Sequence, residues 1–294
     1  MKKAPFVGSA VALITPFNES GINFDKLTEL IEFHISNKTD ALVLCGTTGE
    51  ASTLPDDEHI SVLKHAVEVA KGRIPIIAGT GSNDTAHAIL FSQLAEKIGC
   101  DGLLVVTPYY NKTTQKGLKA HYKMIAESVS IPIIIYHIPG RTGLKMTLDT
   151  FKYLDKIPNI VAVKESSGDL AFAAQIAAET DLVLYSGNDD IIVPMMSIGA
   201  KGVISVLANV LPEETHNICH DFINGNTEKS KNDFLKLLKL INALFIEVNP
   251  IPVKTALNLL GFNVGALRPP LCDMEPENLE KLKAELLAAG LKIK

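Results

Sequence analysis

The chain has 294 residues, enough for two average domains or one large α/β barrel. Hydrophobic residues make up 47% and charged residues 21%, so a substantial core can form and compositional disorder is excluded. A formal charge of −5 without any basic cluster argues against nucleic acid or an anionic membrane surface as partners.

The first three residues, Met1-Lys-Lys, and the apolar stretch 6–14 superficially imitate a secretory leader, but Gly8 and Ser9 split it and Thr15-Pro-Phe17 follows, so a first strand is expected. Short apolar runs then recur at 10–14, 41–44, 74–78, 103–106, 131–136, 160–163, 182–185 and 203–206. Runs of this length bounded by turn residues read as strands buried on both faces. Between them lie stretches of helical period: Phe24, Leu27, Ile31 and His34; Ile60, Leu63, Val67 and Ala70; Ala86, Leu90 and Leu94. Thr53 ahead of Pro55 is expected to cap one helix and Asn83 the next. Strands alternating with helices imply right-handed βαβ units, and eight units imply a (β/α)8 TIM barrel. An open nucleotide-binding sheet is disfavoured, because Gly79-Thr-Gly81 has no third glycine in register and no phosphate-binding GxxxxGK[ST] occurs. Beyond about residue 212 helical patterns take over, as in Phe234, Leu237, Leu238, Ile241 and Leu244 and in Leu279, Leu282 and Leu286. The expected division is a catalytic barrel over 1–225 and a helical region over 226–294 packed on it. Cys45, Cys100, Cys219 and Cys272 form no C-x-x-C pair and read as free thiols of a reducing compartment. With no run of membrane-spanning length, a cytoplasmic protein is expected.

In such a barrel the chemistry collects at the carboxyl ends of the strands. Lys164 ends the sixth run, and an amine partly removed from water is more readily neutral, the form that attacks carbonyls. Gly46-Thr47-Thr48-Gly49 after the second run offers hydroxyls and backbone N–H groups suited to a carboxylate. Tyr136 ends the fifth run, where a phenol can relay protons, and Arg141 beyond it presents a fork for a second carboxylate. Each has a plain alternative when taken alone: a snorkelling lysine, an ordinary turn, a core tyrosine, a surface salt bridge. His216, Cys219 and His220, at i, i+3 and i+4, would share a helix face; with no fourth ligand evident they read as structural, and no metal is expected.

Gly46-Thr-Thr-Gly-Glu50, Tyr136-x-x-Pro-x-Arg-Thr142 and Val163-Lys-Glu-Ser166, together with Thr107-Pro-Tyr-Tyr-Asn111 and Gly202-Val-Ile-Ser-Val206, closely resemble the dihydrodipicolinate synthase family of pyruvate-dependent class I aldolases. The resemblance runs in order over nearly the whole chain. It implies a lyase in which Lys164 forms a Schiff base with pyruvate, Tyr136 moves protons, and Thr47 and Tyr110 complete the relay. Tyr110 is implied to act in a neighbouring subunit, so a homo-oligomer follows, usually a tetramer built as a dimer of dimers. Thr48 is implied to hold the pyruvate carboxylate, Gly187 and Ile204 to line the imine pocket, and Arg141 to receive the carboxylate of aspartate 4-semialdehyde. The implied product is 4-hydroxy-tetrahydrodipicolinate, on the diaminopimelate route to lysine, with no cofactor. Sialate lyases of the same superfamily usually have serine before threonine in the glycine turn and lack the arginine, so Thr47-Thr48 with Arg141 favours the synthase.

Two positions depart from the family pattern. His137 stands where asparagine is common, and strand alternation points it away from the pocket. The positions that bind feedback lysine in inhibited members correspond to Ala51, Asp56, His59, Asn83, His87 and Tyr109. Asp56 replaces a usual histidine and His87 a usual glutamate, so lysine inhibition is expected to be weak or absent.

Overall fold

In the computed structural model, which describes residues 2–294, eight parallel strands close into a barrel. In chain order they are β1 (Gly8–Ala12), β2 (Ala41–Leu44), β3 (Ile76–Gly79), β4 (Gly102–Val106), β5 (Ile133–His137), β6 (Ile160–Glu165), β7 (Val183–Ser186) and β8 (Gly202–Ser205). Each pairs with its chain neighbours, and β1 closes the ring against β8 in the register Gly8↔Gly202. A Cβ on Gly202 would lie 1.7 Å from the Gly8 carbonyl oxygen, so only glycine allows the seam to shut. The third and fifth strands start later than their apolar runs, after Pro75 and Pro132, because proline has no N–H for the ladder.

Eight helices follow the strands: α1 (Phe24–Ser36), α2 (Asp56–Ala70), α3 (Thr85–Ile98), α4 (Gln115–Glu127), α5 (Leu148–Leu154), α6 (Leu170–Glu179), α7 (Ile192–Ser197) and α8 (Pro212–Ile223). Capping differs from expectation. Thr53 lies in a 3-10 turn and donates to the Glu50 carbonyl, while Pro55 precedes α2 without a side-chain cap. Asp84, not Asn83, caps α3 by accepting from the Ala86 N–H. The buried stripe of α3 is also shifted, to Ala88, Phe91, Ser92 and Ala95, and Leu90 is exposed. Ser92 tolerates burial there because its hydroxyl bonds the Ala88 carbonyl and Thr80.

Two apolar layers result. One lies between sheet and helices, and the other fills the barrel with Ala10, Ala41, Ile77, Leu104, Tyr136 and Ile204 among others. Phe6 stacks on Tyr185 at 4.2 Å and plugs the interior. Alternation along β5 sends Tyr136 inward and His137 outward, where the imidazole packs beside Phe151 and Phe172. There His137 Nε2 accepts from the Met146 N–H, so Nδ1 carries the proton given to Glu165 at 2.6 Å.

Three further helices complete the chain: α9 (Thr227–Ala243), α10 (Ile251–Leu259) and α11 (Pro276–Ala288). Phe234, Leu240, Ile241, Leu244, Leu282 and Leu286 join the same outer core as the barrel helices. No described helix is long and apolar enough to cross a membrane. The four cysteines are free thiols, with only Cys272 exposed.

Candidate active site

Neighbouring strand ends bring five of the expected residues, Thr48, Tyr136, Arg141, Lys164 and Gly187, to one mouth. Tyr136 and Lys164 are register partners on β5 and β6, and the Lys164 Nζ lies 4.3 Å from the Tyr136 ring centroid. Both are buried, at 6% and 5% exposure, which takes the amine largely out of water. A cavity of about 290 Å³ opens over them, lined by Thr48, Tyr136, Arg141, Lys164 and Gly187. Gly187 is required beside the lysine, because a Cβ there would lie 3.0 Å from Lys164 Cγ and Cε and 1.7 Å from Ser166 Oγ.

The glycine turn after β2 is shaped by backbone. Cys45 and Glu50 adopt left-handed φ values of 54° and 55°, and Gly79 must lack a Cβ because the Cys45 carbonyl oxygen would meet it at 2.2 Å. Glu50 leaves the turn for a buried ion pair with Lys254 at 2.7 Å, and its other oxygen accepts from the Arg268 N–H at 2.9 Å. Burial lowers the Lys254 pKa, against the opposing pull of Glu50. Thr48 Oγ1 accepts from Asn249 Nδ2 at 2.9 Å, which leaves the hydroxyl proton for an anion. Thr47 lines an adjoining cavity of about 380 Å³ that shares Tyr136, Ile138, Arg141 and Asn249 with the first.

Arg141 sits in a single helical turn after β5 and donates from Nη2 to the Asn249 carbonyl at 2.9 Å. It borders both cavities and is open to solvent. Tyr110 and Ile204 stand apart. Tyr110 is 92% exposed at a positive φ of 64°, and Ile204 belongs to the interior layer, while Val206, past the end of β8, lines the cavity instead.

Sequence reasoning assigned no role to three polar residues of the lysine cavity. Ser166 Oγ, Asp189 Oδ1 and Asn249 Oδ1 are buried and make no hydrogen bond to protein. Buried polar atoms left unbonded are costly, and three around one lysine mark a place made for a polar guest. Asp189 is anchored by the Val206 and Leu207 N–H groups at 2.9 and 3.0 Å. Burial raises its pKa, and those bonds, the Ser205 hydroxyl and the Lys164 charge pull it back. Ser166 and Asp189 lie three and four residues beyond the expected runs 160–163 and 182–185 and were within reach of the barrel rule. Asn249 was not, since only α9 and the segment after it carry it over the barrel.

The fold and this cavity define a TIM-barrel enzyme whose chemistry lies at the carboxyl ends of the strands. The chain matches the model of the "Dihydrodipicolinate synthetase family" over residues 5–289 and belongs to that family. It is 56% identical over 291 residues to the 4-hydroxy-tetrahydrodipicolinate synthase of Caldicellulosiruptor saccharolyticus, covering 98% of this chain and 99% of the relative. It is 54% identical to the enzyme of the same name from Acetivibrio thermocellus, over 99% of this chain and 100% of the relative. The crystal structure of dihydrodipicolinate synthase from Aquifex aeolicus superposes with a TM-score of 0.96 at 46% identity, covering 98% of this chain and 100% of that one.

Proposed function

We propose that the chain condenses pyruvate with aspartate 4-semialdehyde to give 4-hydroxy-tetrahydrodipicolinate, in lysine biosynthesis through diaminopimelate. The observation that carries this reading is the buried Lys164 amine held 4.3 Å from the Tyr136 ring in a cavity with unbonded polar atoms. The neutral amine attacks the pyruvate carbonyl, and loss of water leaves an imine to Lys164. The imine acidifies the methyl group, and proton loss gives an enamine, which attacks the aldehyde carbon of the second substrate. The amine of that substrate then attacks the imine carbon, closing the ring and releasing Lys164. Tyr136 moves the protons, with Thr47 and Tyr110 as its relay, and Thr48 donates to the pyruvate carboxylate. No step calls for an organic cofactor or a metal.

Arg141 receives the carboxylate of the semialdehyde, a role supported by its solvent-facing position on both cavities. Arg141→Ala should raise the semialdehyde KM roughly tenfold or more, a loss of about 1.5–3 kcal/mol for a charge-assisted bond, with pyruvate imine formation unchanged. Initial rates and imine trapping measured separately check this. The exposure of Tyr110 supports a second subunit completing the relay, hence a homo-oligomer, and by family likeness a dimer of dimers. The free thiols favour a reducing compartment, the cytoplasm.

Lysine feedback is expected to be weak. The larger cavity includes Ala51, Asp56, His59, His87 and Tyr109, and His87 Nε2 lies 3.2 Å from Asp56 Oδ1. Of the two acids lining it, Asp56 thus faces His87, and Glu50 is held by Lys254. His59 is buried, with its pKa lowered to about 4, and donates from Nε2 to the Gly79 carbonyl, so it is neutral at pH 7. Initial rates titrated with millimolar lysine should fall little; strong inhibition would refute this expectation. The test of the main reading is a coupled assay with pyruvate and aspartate 4-semialdehyde, run beside N-acetylmannosamine as the competing acceptor. Turnover with the semialdehyde alone supports it, and turnover with only the amino sugar overturns it.

A further inference from the structure

At the opposite end of the barrel lies a second cluster of ligating groups. Expectation grouped His216 and His220 with Cys219, but Cys219 is fully buried in the core. On a helix, i+3 and i+4 diverge by about 100°, so Cys219 and His220 leave α8 in different directions. In place of the thiol the fold supplies Asp40, from the residue before β2. Its Oδ2 lies 3.0 Å from His216 Nδ1, and its Oδ1 lies 3.0 Å from His220 Nε2. The two imidazoles stack at 3.9 Å with their planes 23° apart, so both nitrogens meet the same carboxylate. The Ser9 N–H donates to Oδ2 at 2.7 Å, which fixes the carboxylate in place. Gly8 keeps the space open: a Cβ there would lie 2.1 Å from Asp40 Oδ2 and 2.5 Å from His220 Nε2.

The three donor atoms lie within 4.8 Å of one another. Around tetrahedral zinc, with bonds of about 2.0–2.1 Å, donors stand about 3.3 Å apart, so small side-chain shifts would admit the ion. Two imidazoles and one carboxylate suit Zn²⁺ or a neighbouring first-row divalent ion, with water as the fourth ligand. The side chains are only partly exposed, at 17% for Asp40, 17% for His216 and 32% for His220, so a bound ion would be sheltered yet reachable. We propose that Asp40, His216 and His220 form a site for a divalent transition-metal ion that clamps α8 to the starts of β1 and β2, at the seam where the barrel closes. The site lies at the amino ends of the strands, away from Lys164, and its role is structural.

Isothermal titration of the metal-stripped full-length protein with Zn²⁺, and with Co²⁺ followed by absorption, tests this. The expected result is one ion per chain with micromolar or tighter affinity, visible Co²⁺ bands of a four-coordinate site, and a Tm higher by several degrees with Zn²⁺. The double variant His216→Ala/His220→Ala should lose binding and the Tm rise, while its activity without metal equals that of the parent. Its circular dichroism establishes that it is folded. Absence of binding at 100-fold above micromolar concentration, or equal binding by the double variant, overturns the proposal.

Discussion

Lys164→Ala should lose at least about 10³-fold in kcat, the scale seen when the nucleophile of a covalent mechanism is removed, while the protein remains folded. The side chain is buried against the Tyr136 ring and the Gly187 backbone, so truncation opens space, and Asp189, which loses the nearby Lys164 charge, keeps its Val206 and Leu207 N–H donors. Borohydride with pyruvate should add the mass of a reduced pyruvyl group to the parent protein, on Lys164, and nothing to the variant. Lys164→Arg should be as inactive as the alanine variant, because a guanidinium stays charged and cannot form the imine. An adduct on another lysine, or activity within tenfold of the parent, would remove the basis of the proposed mechanism.

Lys254→Met should destabilise the protein by about 3–5 kcal/mol, because it leaves Glu50 as an unpaired charge in the core. Both partners are 1% exposed and 2.7 Å apart, and Phe17 stacks under the ammonium at 4.0 Å. Methionine fills nearly the same volume, so packing is preserved and the cost is electrostatic. Adding Glu50→Gln should recover about half of that loss, since the amide oxygen still accepts from the Arg268 N–H while the charge is gone. Activity should recover less than stability, because Glu50 ends the turn that carries Thr47 and Thr48. Urea unfolding gives the first quantity and kcat/KM the second. Equal recovery of both would mean that the ion pair supports the fold without positioning the turn.

The barrel and the Lys164–Tyr136 pair were open to inspection in the chain itself. A strand buried on both faces must be a short unbroken apolar run, and the residue ending it must reach the carboxyl rim. Such signals are local: the run 160–163 with Lys164 after it, and the run 131–136 ending in Tyr136, each carry their whole message in a few residues. Family motifs added roles that no local pattern contains. Helix faces were read less well, as on α3, where the buried stripe runs through Ala88, Phe91, Ser92 and Ala95 instead of Ala86, Leu90 and Leu94, with Ser92 bonded internally.

What only tertiary structure decided were meetings across long separations. Asn249 comes within 2.9 Å of Thr48 from 201 positions away, and Lys254 finds Glu50 from 204 away. Asp40 reaches His216 across 176 positions, which turned two helix-borne histidines into part of a three-donor cluster. Sequence spacing determines which way a side chain leaves its own strand or helix, because backbone period is local. It does not determine which distant segment waits on that side, because that depends on how the helices after the barrel fold back over the strand ends and how the ring of strands closes.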